Sequence, residues 1–248
     1  MKRIFVSDIT LKVLAEDRAT ALLFREKTAV AGCAADLGVD CVELPAVRSA
    51  REDAIIGKTV AGRVGEAVLA IPVGGDVAEV AAAYACVKEA AHPRRQVELP
   101  VSTIQMEYRY HVKESRMLEK LAALVTAAAS CTADVEFSAE DATRADLDFL
   151  LAAVRCAEEK GATLVTLCDD AGCAMPEEIA ALVRAVRAAV SIPVYVRLSN
   201  RIGLAVASAF AAIAAGADGL KCAMAGGDAL PVGALSDAVA SCGARAGA

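Results

Sequence analysis

The chain has 248 residues, 56% of them apolar and 4% aromatic, and its 26 basic against 32 acidic side chains leave a net charge of −6. Acids and bases are interspersed, which excludes the clustered basic excess of a nucleic-acid surface. No window holds the ~18 unbroken apolar residues of a membrane span, despite a mean hydropathy of +0.46.

Strand-like segments are predicted at 4–8, 41–44, 67–71, 96–101, 134–138, 163–168, 194–198 and 219–222. Helical patterns lie between them. Leu147, Leu150, Leu151 and Val154 have the spacing of one buried helix face, and Ile179, Leu182, Val183 and Val186 repeat it. Pro176 opens the second of these, with Glu177 and Glu178 suiting a helix N-terminus. Gly38, Gly161 and Gly216 each end a helix just before a strand. Eight such pairs without a linker predict one (β/α)8 TIM barrel over residues 1–248. A doubly wound open sheet would carry a glycine-rich turn after the first strand, and residues 9–14 contain no glycine.

Nine cysteines without C-x-x-C spacing read as free thiols in a reducing cytoplasm. Residues 1–3 run directly into the first predicted strand, so no apolar leader is expected. The alanine-rich stretch 204–215 suits burial or packing against a second copy, so a homo-oligomer is compatible with the sequence.

Side chains alternate across a strand. Glu43, Glu136, Arg197 and Lys221 each alternate with apolar neighbours, so all four are expected inside the barrel. Buried charges persist when paired, which predicts an ionic network with Arg197 at its centre.

Several motifs carry a family resemblance. Val135-Glu136-Phe137-Ser138-Ala139-Glu140-Asp141-Ala142-Thr143-Arg144, Asp169-Asp170-Ala171-Gly172 before Pro176-Glu177-Glu178, and Gly203-Leu204-Ala205-Val206-Ala207 before Ala214-Ala215-Gly216-Ala217 follow in order. Together they resemble the DRE-TIM metallolyase superfamily, which contains 2-isopropylmalate synthase, homocitrate synthase and hydroxymethylglutaryl-CoA lyase. The resemblance implies a barrel on which an acyl-CoA enolate attacks a 2-oxo acid polarised by a divalent metal. It also implies a metal set of one Asp, two His and one Asn. At those positions this chain has Val13, Arg197, Ser199 and Val232, and Lys12 replaces the family's catalytic Arg. No metal cofactor is therefore expected, and acyl-CoA remains a substrate the resemblance allows. The family's chains usually continue past the barrel, whereas here no C-terminal regulatory domain is expected.

Lys12, Glu43, Glu136 and Lys221 are the candidate catalytic residues. Asp8, Arg197, Ser199, Asn200, His111 and Asp170 are the candidate binding residues. Arg197 is open between an anion clamp and a structural ion pair, and its guanidinium stands where the metal's charge would be. The expected role is a divergent synthase homologue, degenerate or repurposed to bind a small carboxylate or phosphate, without nucleic-acid or membrane partners. The alternative is a carbon–carbon lyase or aldolase that uses Lys221 as a Schiff base or a relocated metal near Cys168, Cys173 and Cys222.

Overall fold

Short strands joined by amphipathic helices bury both faces of a parallel sheet only if the helices wrap it. The computed structural model describes residues 3–16 and 22–246, and the sheet closes on itself in the order β1 to β8, all parallel. The strands are β1 Phe5–Asp8, β2 Cys41–Glu43, β3 Val68–Pro72, β4 His92–Pro100, β5 Val135–Glu140, β6 Leu164–Cys168, β7 Val194–Arg197 and β8 Gly219–Cys222. The helices are α1 Thr10–Glu16, α2 Phe24–Asp36, α3 Ala50–Val64, α4 Val80–Val87, α5 Thr103–Gln105, α6 Glu114–Ala129, α7 Leu147–Glu159, α8 Pro176–Ala189, α9 Ala205–Ala214 and α10 Val232–Ala246. Among the described residues no helix is long and apolar enough to cross a membrane.

Local chemistry sets the helix ends. The Asp146 carboxylate caps α7 by accepting from Phe149 N at 3.1 Å. In α8 Pro176 takes the first turn, and Glu178 reaches back to Met175 N at 2.7 Å. The buried face of α7 is Phe149, Leu150, Ala153, Val154 and Ala157, so Leu147 of the expected face lies half exposed. Gly161 and Gly216 both have φ of 108°, the left-handed region that the αβ turns require.

Outward strand residues such as Val97, Leu99, Val135, Phe137, Val165 and Val194 meet the helices and form the main apolar layer. Strand β4 begins at His92, four residues before the predicted start at Gln96. Its two arginines precede the predicted strand and are accommodated on opposite faces. Arg94 points inward and pairs through Nε with Asp134 at 2.9 Å, while Arg95 points outward and stacks on Tyr84. At the N-terminal end, Phe5 and Tyr195 stack with centroids 5.2 Å apart. Gly219 makes room for them, since a Cβ there would lie 2.7 Å from the Tyr195 ring.

Candidate active site

A barrel of this kind is usually filled with branched apolar side chains. This one is filled with hydrogen-bonding groups. Strand β4 turns Gln96 and Glu98 inward, β5 contributes Glu136 and Ser138, and Glu43, Thr166 and Lys221 come from β2, β6 and β8. Lys221 Nζ lies 2.8 Å from Glu43 and 2.5 Å from Glu136. Lys12, from the first turn of α1, reaches Glu43 at 3.2 Å and Gln96 Oε1 at 3.1 Å, and also pairs with Glu98. Gln96 Nε2, Ser138 Oγ and Thr166 Oγ1 donate to Glu136 at 2.9, 2.7 and 2.7 Å. Ser7 Oγ donates to Glu43 at 2.7 Å. Glu43, Glu136 and Lys221 are 2% exposed or less. Every charge in this cluster is therefore both paired and hydrogen-bonded, the condition under which burial is tolerated.

The electrostatics follow from these pairs. Burial alone pushes Glu43 and Glu136 up, but Lys221, with Lys12 beside Glu43, outweighs it and holds both below the usual carboxylate range. Burial likewise disfavours the Lys221 and Lys12 ammonium groups, and the carboxylates reverse that, raising both. The pairing with two acids favours the protonated form of Lys221, whereas the Schiff-base role expected for it needs burial without counter-charge.

Arg197 is not the centre of this network. Its Nη2 pairs instead with Asp170 beyond the end of β6, and about a quarter of each side chain is exposed. Arg197 and Lys221 are register partners, but strand tilt puts register partners at different heights. The guanidinium emerges at the mouth. There it borders a cavity of about 430 Å³ whose wall includes Lys12, Val13, Asp170, Ser199 and Gly227. Glu43, Glu136 and Lys221 are sealed beneath this cavity, and Lys12 belongs to both.

The other expected binding residues have local partners. Asp8 accepts from Thr10 N at 3.1 Å and Thr10 Oγ1 at 2.7 Å, which caps α1. It is 2% exposed and outside the cavity wall. Burial pushes its carboxyl up against the pull of Thr10. Ser199 Oγ accepts from Arg201 N at 3.2 Å, and Asn200 Oδ1 accepts from Ala205 N at 3.3 Å at the start of α9. His111 is exposed at φ 53° beyond a π-helical turn at Met106–Tyr110 and lies away from the cavity wall. Asp170 Oδ2 accepts from Asp141 N at 2.7 Å, tying β5 to β6.

Sequence reasoning missed Gln96, Glu98 and Glu140. All three show the alternation used for the other strands, Gln96 and Glu98 against Val97 and Leu99. Glu140 closes β5, pairs with Arg109 at 2.7 Å, and is pushed up by burial.

The residues at the family's metal positions do not make a metal set. Val13 packs toward Gly226 and Gly227, where a Cβ on Gly227 would lie 2.6 Å from Val13 Cγ1. Arg197 brings a fixed cation, Ser199 one hydroxyl, and Val232 lines a separate crevice beside Val6 and Val39. A hard divalent cation needs carboxylate, imidazole or amide donors that these side chains lack. Among the described residues no cluster of three His, Cys, Asp or Glu could hold a metal elsewhere.

A family model described as HMGL-like matches residues 8–240. The 2-isopropylmalate synthase of Carboxydothermus hydrogenoformans is 32% identical over 232 residues, covering 91% of this chain and 45% of that protein. The 2-isopropylmalate synthase of Pyrococcus abyssi is 33% identical over 223 residues, covering 88% and 46%. The chain spans less than half the length of these relatives. Among solved structures, the HMG-CoA lyase from Brucella melitensis superposes with a TM-score of 0.79 at 13% identity, covering 98% of this chain and 92% of that one. Hydroxymethylglutaryl-CoA lyase from Pseudomonas aeruginosa gives 0.80 at 14%, covering 97% and 86%.

Proposed function

This chain belongs to the HMGL-like family of the DRE-TIM metallolyase superfamily, and from that premise we propose that it is a divergent member that binds a small carboxylate or phosphate at the barrel mouth without a divalent metal. The carrying observation is Arg197 on the wall of the cavity, at a position where the family resemblance expects a metal-binding imidazole. A guanidinium presents five donors in a planar fork suited to a carboxylate or phosphate, and Asp170 engages one of its nitrogens. Lys12 adds a second cation on the same wall. The acyl-CoA and 2-oxo-acid condensation of a 2-isopropylmalate synthase would need charge stabilisation that Val13, Arg197 and Ser199 do not provide through a metal.

Calorimetric titration in chelator-treated buffer, with pyruvate as a simple 2-oxo acid and with inorganic phosphate, tests the reading. One saturable site is expected for at least one anion, weakened about tenfold or more in Arg197→Met, the scale of a lost charge-assisted hydrogen bond. Absence of binding by both anions would overturn the anion site. One tightly held divalent ion per chain in metal analysis of the purified protein would overturn the metal-free reading.

A further inference from the structure

The wall of the mouth cavity is acidic on balance. Among the described residues it carries two cations, Lys12 and Arg197, against four acids, Glu16, Asp169, Asp170 and Asp228. Both cations already face carboxylates, Lys12 at Glu43 and Glu98 and Arg197 at Asp170. A plain anion seated there adds negative charge to a wall with an acidic excess, and like charges brought together oppose binding. A guest that carries one charge of each sign adds none.

Burial singles out Asp169 among these acids. It follows β6 directly, lies on the cavity wall and is 6% exposed. Its Oδ1 accepts from Thr143 Oγ1 at 2.8 Å and from Gly172 N at 3.3 Å, two neutral donors. Among the described residues Oδ2 meets no donor, and no cation pairs with this carboxylate. Burial, with Asp170 and Asp141 nearby, pushes the carboxyl up against the pull of Thr143 and Gly172. A buried charge is tolerated when it is paired, so the site favours a guest that supplies a cation beside Asp169.

Arg197 and Asp169 are close enough to serve one small molecule. Asp169 N donates to the Arg197 carbonyl at 2.9 Å, so the two residues rise from the ends of the neighbouring strands β6 and β7. Paired strands lie about 4.8 Å apart, a spacing that a carboxylate and an ammonium on one carbon can bridge. We propose that the mouth binds an α-amino carboxylate as its zwitterion, with the carboxylate on the free donors of Arg197 and the ammonium on Asp169. The inference rests on the carboxylate reading of Arg197 and adds the second charge.

The test is calorimetric titration of the intact protein in chelator-treated buffer with L-alanine and L-lactate. The two ligands share a tetrahedral carbon and differ in carrying an ammonium or a hydroxyl. Alanine is expected to bind about tenfold tighter or more, the scale of one charge-assisted contact. Asp169→Asn should bring alanine close to lactate, whereas Arg197→Met should weaken both. Alanine binding no tighter than lactate would overturn the zwitterion while leaving the carboxylate reading intact. Failure of both, together with pyruvate and phosphate, would remove that reading itself. A preference for alanine that survives in folded D169N would overturn the place given to Asp169. If D169N does not fold, wild type titrated below and above the deprotonation of free alanine decides: loss of the preference at high pH supports the ammonium contact, and a preference indifferent to pH overturns it.

Discussion

Lys221 on β8 and Glu136 on β5 meet inside the barrel with Nζ and Oε1 2.5 Å apart, and the same ammonium holds Glu43 at 2.8 Å. One cation therefore bridges two carboxylates that would otherwise face each other in a sealed space, and Lys12 adds a second positive charge beside Glu43. Lys221→Met should cost about 3–5 kcal/mol, the penalty of stranding buried charge, measured as a lower denaturation midpoint in guanidinium chloride. Adding Glu136→Gln should recover part of that loss, because the residues are directly coupled. Equal stability of K221M and wild type would show that the pairing contributes nothing.

The same pairs set the acid limit of the fold. Glu43 and Glu136 are lowered in the folded chain, so their stabilisation is complete above the ordinary value of 4.5 and drains as pH falls through the lower folded values. Asp8, Asp169 and Glu140, all pushed up by burial, act in the opposite sense. Their protonation in the folded chain raises stability as pH falls toward 4.5 from neutrality. Denaturation followed from pH 7 to 3 should thus show a shallow rise and then a steep fall. Glu43→Gln should flatten the steep limb. A monotonic decline from neutrality would refute the role given to the raised carboxylates.

Asp170 competes for the guanidinium that an incoming anion would use. Asp170→Asn removes that charge while keeping an oxygen for Asp141 N, and should tighten phosphate or pyruvate binding several-fold in calorimetry. Weaker binding in D170N would mean that Asp170 orients Arg197 and does not oppose the ligand.

Gly219 is fixed by a close approach. A methyl group there would sit 2.7 Å from Tyr195, whose ring is already stacked on Phe5. Gly219→Ala should cost about 1–3 kcal/mol through overpacking, visible as a lowered melting temperature. Tyr195→Leu in the same chain should relieve most of it.

The fold was legible because each strand signal recurred at helix-plus-turn spacing. Observed β5, β6, β7 and β8 fall within about two residues of expectation. Period-two alternation also revealed that Glu43, Glu136 and Lys221 share the interior. The start of β4 was hidden because His92-Pro93-Arg94-Arg95 has no apolar pattern, and only the partners Asp134 and Tyr84 explain how the two arginines fit a strand. The height of Arg197 was hidden for another reason. Alternation tells which face a side chain takes, whereas barrel tilt decides whether its tip ends in the sealed centre or at the open end. Lys12 comes from a helix turn rather than a strand, so its reach to Glu43, Gln96 and Glu98 had no periodic signal.

The position of Lys12 has one more consequence. Its side chain borders the open chamber above while its ammonium grips the closed ionic lattice below. Any negatively charged guest settling there shares a counter-ion with the keystone of the whole scaffold, so occupancy and heat resistance become two readings of a single dial.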